Sequence, residues 1–159
     1  MDRDALFQSG MDLELPSTTR KEDTSYIGSF VSEDGRKDHL VMRNGVRCAG
    51  THLIVELYEA KHLDDIGHID KALRACVKAA GATLLHIHLH HFEPNGGVSG
   101  VAVLAESHIS IHSWPECGYA ALDVFMCGET SPEKCVPVLK KAFGAKRVEV
   151  ETLLRGKGI

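Results

Sequence analysis

The sequence predicts an α+β fold, a two-layer sandwich in which two helices cover one face of a mostly antiparallel sheet. The first observation is periodicity: after residue 50, six segments alternate like strands and two have the spacing of amphipathic helices. The second is their order, which is strand, helix, four strands, helix, strand. The third is that most links between consecutive strands are too short for parallel crossovers, so neighbouring strands run antiparallel.

The first strand and the first helix have the clearest patterns. Residues 51–58, THLIVELY, alternate apolar and polar side chains as a half-buried strand does. A helix is expected from about residue 64 to residue 80, because apolar residues recur there at helical spacing and acidic residues occupy its first turn. Gly81 follows at the position where a left-handed cap would end the helix.

The remaining elements follow from the same patterns. Strands are expected over residues 83–92, 98–105, 107–114 and 119–126, a second helix within residues 132–143, and a last strand over residues 146–153. Pro137 lacks a backbone donor and is expected to delay or kink the second helix. One face of the sheet would stay uncovered, which suggests that it pairs with a second copy of the chain.

Domain organisation and compartment follow from length and composition. The chain has 159 residues, which suits one domain with a single core. Residues 1–46 are polar and show neither period, so we expect a flexible N-terminal extension before a single domain over residues 47–159. The five cysteines form no CxxC pair, which is typical of free thiols in a reducing compartment. Of these, Cys76 and Cys135 fit buried structural positions best.

Charge and hydropathy exclude several classes of partner. The sequence has 43% hydrophobic and 25% charged residues, as in an ordinary globular protein. Its net charge of -4 and the lack of a Lys/Arg block argue against a nucleic-acid partner. No apolar run approaches the roughly 20 residues that span a membrane, and the N-terminus lacks the pattern of a secretory signal. We therefore expect a cytoplasmic protein without a membrane partner.

One stretch combines several reactive side chains. Residues 97–128 read GVSGVAVLAESHISIHSWPECGYAALDVFMCG. Glu106 and Ser107 lie at a strand junction, and His112 follows five residues after the serine. A hydrolase built from Ser107, His112 and Glu116 is one interpretation. No GxSxG elbow precedes a helix, however, so the pattern does not favour it.

The run AESHISIHSWPECGYAALDVFMCGE resembles the hallmark segment of the prokaryotic S-adenosylmethionine decarboxylases. The upstream GVSG, the FEP turn and the HLIVELYE strand fit the same family, so the resemblance covers roughly residues 50–150. It implies a pyruvoyl-dependent enzyme made as a proenzyme that cleaves itself between Glu106 and Ser107. The products would be a β chain, residues 1–106, and an α chain, residues 107–159.

The resemblance also implies the roles of individual residues. Ser107 would attack the Glu106 carbonyl, turning the amide into an ester, and would end as the pyruvoyl cofactor that forms a Schiff base with the substrate amine. His112 matches the family's processing proton acceptor, and Ser99 matches the serine that supports it. Cys127 matches the residue that protonates the decarboxylated substrate, and a thiol can be tuned for that task.

The substrate implied by the resemblance is S-adenosylmethionine, which would lose carbon dioxide and become the aminopropyl donor of spermidine synthesis. Phe92 matches the residue that stacks on adenine, with His112 as a candidate second face, and Glu116 matches the carboxylate that binds the ribose. The segment between the FEP proline and GVSG is one residue longer than in some relatives. The α and β chains of one precursor are expected to stay together, and the αβ units to pair as a dimer.

Two alternatives stay open. The same cofactor chemistry could serve ornithine or arginine on a scaffold without an adenosyl pocket, although Phe92 and Glu116 argue against it. A non-enzymatic, histidine-rich metal-binding module is also conceivable, because His86, His88 and His90 alternate along one strand. Their in-line spacing suits tetrahedral ligation poorly and no acidic or thiol ligand accompanies them, so we expect no metal.

Overall fold

The computed structural model describes residues 40–159, so most of the expected N-terminal extension lies outside the described residues. Within this range the chain forms eight strands and two α-helices. In chain order they are β1 (Val41–Arg43), β2 (Val46–Cys48), β3 (Gly50–Tyr58), α1 (Ile66–Ala80), β4 (Leu84–His91), β5 (Val98–Leu104), β6 (Ser107–Trp114), β7 (Tyr119–Met126), α2 (Cys135–Phe143) and β8 (Arg147–Arg155). A short 3-10 turn, Pro115–Cys117, follows β6, and a second one, Pro132–Lys134, precedes α2.

The main sheet has six antiparallel strands in the order β4-β5-β6-β7-β3-β8. Strands β4 to β7 are neighbours in sequence order, and β3 lies between β7 and β8. Both helices pack against one face, which confirms the predicted α+β sandwich and its order of elements. All described residues belong to one compact unit, and none of its helices is long and apolar enough to cross a membrane.

Strands β1 and β2 form a separate hairpin that was not predicted. Its turn is made by Asn44 and Gly45, whose φ angles are 50° and 76°. The Asn-Gly pair favours tight hairpin turns because both residues tolerate positive φ, so the signal was present in the sequence. The expected domain boundary at residue 47 falls inside this hairpin.

The helices begin and end close to their predicted positions. Asp65 is the N-cap of α1 and accepts a hydrogen bond from the His68 N–H at 2.9 Å, so the helix itself begins at Ile66. It ends at Gly81, whose φ of 73° is the expected left-handed cap. Pro137 lies in the first turn of α2, where backbone N–H groups have no intrahelical partner. The proline therefore coincides with a delayed helix start.

The core lies between the helices and one face of the sheet. Each fully buried aliphatic or aromatic side chain there contributes about 1.5–3 kcal/mol relative to exposure. The largest are Phe143, Leu57, Leu63, Ile69, Leu73, Leu104, Ile109, Ile111, Leu122, Met126, Leu139 and Val55. Burial alternates along β6, so Ser107 shares the helix-covered side with Ile109 while His112 lies on the other.

The other face of the main sheet is called here the open face, because no helix within residues 40–159 lies over it. Near its centre the Asp123 carboxylate accepts a hydrogen bond from Ser110 Oγ at 3.1 Å and lies 3.0 Å from His52 Nε2. The strand pairings place six of the ten histidines of the chain on this face. They are His52, His86, His88, His90, His108 and His112.

Candidate active site

Glu106 and Ser107 meet at the tight turn between β5 and β6. Leu104 pairs with Ser107, so only two residues form the turn. Glu106 has a φ of 58°, in the left-handed region. A residue with a Cβ adopts that region at a cost of about 1–2 kcal/mol. The Glu106–Ser107 peptide bond therefore follows a strained residue and leads directly into a strand.

The Ser107 hydroxyl is nearly enclosed and is bound by the backbone that follows the neighbouring strand. Ser107 is 8% exposed, and its Oγ accepts a hydrogen bond from the Cys127 N–H at 3.1 Å. Because β7 runs antiparallel to β6, the residue after the end of β7 lies beside the start of β6. The sheet register thus brings together two predicted site residues that are 20 positions apart.

The surroundings of the Cys127 thiol keep it in its neutral form. Burial raises the pKa of this thiol above its ordinary value, and the Glu106 carboxylate and Cys48 raise it further. The sulfur therefore keeps its proton at neutral pH and can act as an acid. Gly50 makes room for the thiol, since a Cβ at that position would lie 2.5 Å from the Met126 carbonyl oxygen and 3.1 Å from Cys127 Sγ.

Ser99 and His112 form a second pair, on the open face. They lie opposite each other on β5 and β6, with Ser99 Oγ 2.8 Å from His112 Nδ1. The imidazole stacks against Trp114, with ring centroids 6.2 Å apart. A hydroxyl that holds one imidazole nitrogen leaves the other nitrogen for acid–base work or for a ligand.

A cavity of about 260 Å³ lies beside this pair. Phe92 and Trp114 supply aromatic walls, and Glu116 supplies a carboxylate from the 3-10 turn after β6. Phe92 is 49% exposed, so its ring remains accessible to a ligand. Aromatic faces with a carboxylate suit a flat, cationic ligand that carries hydroxyl groups. The residues that line the cavity are Phe92, Asn95, Gly97, Ser99, His112, Ser113, Trp114 and Glu116.

Within one chain these two groups of residues do not meet. Ser107 and His112 lie at the first and sixth positions of β6. Five steps along a strand correspond to roughly 17 Å. The two residues also face opposite sides of the sheet. The structure brings Ser107 to Cys127 and brings His112 to the cavity, but it leaves the two groups apart.

The other cysteines have different environments. Cys76 and Cys135 are fully buried, and each thiol contacts the other residue's carbonyl oxygen, at 3.8 and 3.6 Å. The hydrogen bond of the Cys76 side chain with the Cys135 side chain, together with burial, raises the pKa of Cys76 far above the ordinary thiol range. Cys117 is exposed in the turn after β6, at the opposite end of that strand from Ser107. The prediction that Cys76 and Cys135 are core residues is confirmed.

Two residues beside the candidate site were not predicted to belong to it. Trp114 had a signal, because it alternates with His112 along β6 and so shares its face. Gly50 had none, since its contact with Cys127 depends on how β3 approaches the end of β7. His86, His88 and His90 lie along the open face, and among residues 40–159 no group of three or more His, Cys, Asp or Glu side chains is placed to hold a metal ion.

Comparisons with known proteins agree on one family. The family model for S-adenosylmethionine decarboxylase matches residues 51–156. The S-adenosylmethionine decarboxylase proenzyme of Thermomicrobium roseum is 47% identical over 112 residues, 70% of this chain and 97% of that protein. The proenzyme of the same name from Methanococcus maripaludis is 52% identical over 110 residues, 67% and 89% of the two chains. The crystal structure of the adenosylmethionine decarboxylase from Aquifex aeolicus matches with a TM-score of 0.60 and 32% identity, over 69% of this chain and 92% of that chain.

Fold, site and sequence identity together define a pyruvoyl-dependent carboxy-lyase that is made as a proenzyme. More narrowly, the chain belongs to the S-adenosylmethionine decarboxylase family. The pyruvoyl cofactor of this class is made from the polypeptide itself, and the residues present fit such a group. A nearly enclosed serine follows a strained residue, and it is bound by the backbone N–H of Cys127, whose thiol has a raised pKa.

Proposed function

We propose that this chain is the proenzyme of a decarboxylase that acts on S-adenosylmethionine and that it cleaves itself between Glu106 and Ser107. The observation that carries the proposal is the turn at this bond. Glu106 is in the left-handed region, and the next residue presents a nearly enclosed hydroxyl. Cleavage gives a β chain, residues 1–106, and an α chain, residues 107–159. The product of the decarboxylation is the aminopropyl donor for spermidine synthesis.

The cleavage begins with an acyl shift at the strained turn. Ser107 Oγ bonds to the carbonyl carbon of Glu106, the peptide C–N bond breaks, and the amide becomes an ester with a free amine on residue 107. The hydrogen bond of 3.1 Å from the Cys127 N–H to Ser107 Oγ supports this step, because it orients the hydroxyl. The acyl shift lets Glu106 leave its strained conformation, and the strain energy released lowers the barrier of this step by at most that amount.

The ester then gives the cofactor by elimination. A base removes the Cα proton of residue 107, the Cβ–Oγ bond breaks, and the oxygen leaves with Glu106 as a carboxylate. The dehydroalanine that remains takes up water, releases ammonia and becomes the pyruvoyl group. The Cys127 N–H that binds this oxygen in the precursor is placed to stabilise the negative charge on it as it leaves.

A pyruvoyl group at residue 107 would supply a carbonyl that accepts the electrons released as carbon dioxide leaves the substrate. The chain's own residues position the substrate and move the proton. The raised pKa of Cys127 supports its role as the donor of a proton to the substrate carbon, because the thiol stays protonated at neutral pH. Phe92 and His112 offer two faces for the adenine ring, and the Glu116 carboxylate can accept hydrogen bonds from the ribose hydroxyls.

We further propose that two copies of the chain pair before cleavage and build each site together, so that the product is a dimer of αβ units. His112 and Ser99 lie about 17 Å along the sheet from Ser107, too far to take a proton within one chain. If two open faces pack about a two-fold axis that runs across the strands near Asp123, the His112 end of one copy lies against the β5–β6 turn of the other, which carries the Glu106–Ser107 bond. The polar groups on the open face would then line the interface.

We place the enzyme in the cytoplasm, because its proposed mechanism needs a free thiol at Cys127 and thiols persist in reducing compartments.

The test combines gel electrophoresis with carbon dioxide release. The purified full chain is separated under denaturing conditions, and release is measured from carboxyl-labelled S-adenosylmethionine, ornithine and arginine, with Ser107→Ala as the control. We expect two fragments from the wild-type chain, one from the variant, and release from S-adenosylmethionine alone. An intact wild-type chain that releases carbon dioxide would overturn the processing step. Release from ornithine or arginine alone would overturn the substrate.

A further inference from the structure

We infer that Arg43, in the β1–β2 hairpin, positions the turn that carries Cys127 and thereby directs the protonation step. The inference rests on the proposed role of Cys127 as proton donor. The family model matches residues 51–156, so the hairpin precedes the residues that it matches. Arg43 and Thr130 are therefore positioning residues, which act through Cys127 and need not touch the substrate.

Three consecutive hydrogen bonds join the hairpin to the cleavage site. Arg43 Nη2 donates to the Thr130 carbonyl oxygen at 2.7 Å. Thr130 Oγ1 donates to the Cys127 carbonyl oxygen at 2.8 Å, and the Cys127 N–H donates to Ser107 Oγ at 3.1 Å. A charged donor makes the first of these bonds, and charge-assisted hydrogen bonds are stronger than neutral ones. The guanidinium is therefore linked to the Cys127 backbone through a single intervening residue.

The turn needs such a support because the sheet ends just before it. Met126 is the last residue of β7 that pairs with β3, so Cys127 lies beyond the ladder. Gly128 follows with a φ of 63°, which turns the chain away from the sheet. On the far side the Ser131 N–H donates to the Ala80 carbonyl oxygen at 2.9 Å. Arg43 thus holds one side of the turn while the end of α1 holds the other.

The hairpin is itself anchored, so it can transmit position to the turn. The Cys48 side chain is fully buried, and its thiol contacts the Val41 carbonyl oxygen at 3.7 Å. Next to the hairpin, the Ala49 N–H donates to the carbonyl oxygen of Arg155 at 2.8 Å, and the Gly158 N–H donates to the carbonyl oxygen of Arg47 at 3.0 Å. The hairpin is therefore fixed to the end of β8 independently of Arg43.

Packing does not replace the Arg43 hydrogen bond. A cavity of about 350 Å³ lies between the hairpin and the turn. Arg43 Nε is buried and has no hydrogen-bond partner within the described part of the chain, a cost to stability that an exposed arginine would not carry. Since no close-packed surface among residues 40–159 fills the gap, loss of the guanidinium removes a support on this side of the turn. The cavity is lined by Leu40, Val41, Met42, Arg43, Gly128, Glu129, Thr130 and Ser131.

If the turn that carries Cys127 is free to move, the Cys127 thiol should deliver its proton to the substrate carbon less accurately. When the proton reaches the pyruvoyl carbon in place of the substrate carbon, the substrate nitrogen stays on residue 107. Hydrolysis by water would then leave an alanine at residue 107 and release the decarboxylated substrate as an aldehyde, which would inactivate the enzyme. The mass of the α chain records each such event. Misplaced protonation is a property of the donor's position, so a purely structural role of Arg43 would not change it.

The experiment compares Arg43→Met with Arg47→Met, the same change on the same hairpin, after thermal unfolding has shown both to be folded. We expect Arg43→Met to process fully and to raise the fraction of turnovers that end in alanine by about tenfold, with kcat reduced and KM unchanged. Arg43→Lys should restore part of the accuracy, because it keeps the charge and a donor. If Arg43→Met does not fold, Thr130→Val tests the same link one hydrogen bond closer to Cys127.

A second measurement avoids the cofactor altogether. In the uncleaved Ser107→Ala chain, Arg43→Met should make Cys127 react about tenfold faster with iodoacetamide, while Arg47→Met leaves the rate unchanged. Normal accuracy and normal reactivity in Arg43→Met, alongside a defective Cys127→Ala, would overturn this inference alone. A Cys127→Ala enzyme with normal turnover and no alanine would overturn the proposed proton donor and this inference with it.

Discussion

The two ends of β6 differ in almost every physical property. At the Ser107 end the chain turns tightly, one residue is strained, and the enclosed side chain is bound by the Cys127 backbone N–H. At the His112 end the side chains are exposed on the open face, stacked with an aromatic ring and next to a cavity. Bond-breaking chemistry is proposed where the backbone is constrained, and ligand binding where the surface is accessible. One chain carries both parts but does not join them.

Removing the hydroxyl at the constrained end should have the largest effect. Ser107→Ala lacks the nucleophile of the acyl shift and the atoms of the cofactor, so we expect no cleavage and no decarboxylation. Gel electrophoresis and carbon dioxide release measure both losses, and the cavity at the other end should be unaffected. A Ser107→Ala chain that still splits after residue 106 would show that a contaminating protease makes the cut.

Removing the thiol should separate turnover from processing. Cys127→Ala keeps the backbone N–H that binds Ser107 Oγ, so cleavage should continue, while turnover falls by roughly 10²–10⁴-fold, as is typical when a positioned acid is lost. Alanine should accumulate at residue 107, visible by mass spectrometry of the α chain. Cys117→Ala, at the exposed end of β6, is the matched control and should behave as wild type. The opposite pattern in the two variants would make Cys117 the donor.

Relieving the strain should have a moderate effect. Glycine adopts a φ near 58° without the steric cost that Glu106 bears, so Glu106→Gly should slow cleavage by about tenfold, the rate equivalent of about 1.4 kcal/mol. Glu106→Gln keeps the strained conformation and should slow cleavage less. The time course of fragment appearance after synthesis measures both rates. Equal cleavage rates in the Glu106→Gly and Glu106→Gln variants would show that strain at Glu106 does not accelerate cleavage.

The smallest expected effect is a displacement of the pH profile. A proton donor must be protonated, so activity that depends on Cys127 is complete below the pKa of its thiol and is lost as pH rises through it. Burial and the Glu106 carboxylate raise that pKa, so the alkaline decline of kcat should lie above the ordinary thiol value of about 8.5. A decline centred below that value would contradict the assignment.

Much of the fold was predictable because its signals are local. The alternation along β6 and the cap at Gly81 depend on residues close in sequence, and the structure has both. The β1–β2 hairpin was missed although its Asn44–Gly45 turn is also a local signal. Each of its two strands has only three residues, too few to show a clear alternation of apolar and polar side chains in a polar part of the sequence.

The site was predictable only in part. The resemblance located Ser107, Cys127 and His112 in the sequence, and the register of β6 and β7 accounts for the contact between the first two. No local pattern predicts the link from Arg43 to Thr130, which spans 87 positions. The separation of Ser107 from His112 follows from the strand itself, since an odd number of steps reverses the face.

The most direct test of a site shared between two copies is to produce Ser107→Ala and His112→Ala chains together in equal amounts. Neither variant alone should cleave. In a mixed dimer, His112 of the first variant can act on Ser107 of the second, so random pairing should cleave about half of the His112→Ala chains. The α chain released must then carry alanine at position 112, which mass spectrometry reads directly. Cleavage by His112→Ala alone, or none in the mixture, would contradict the account.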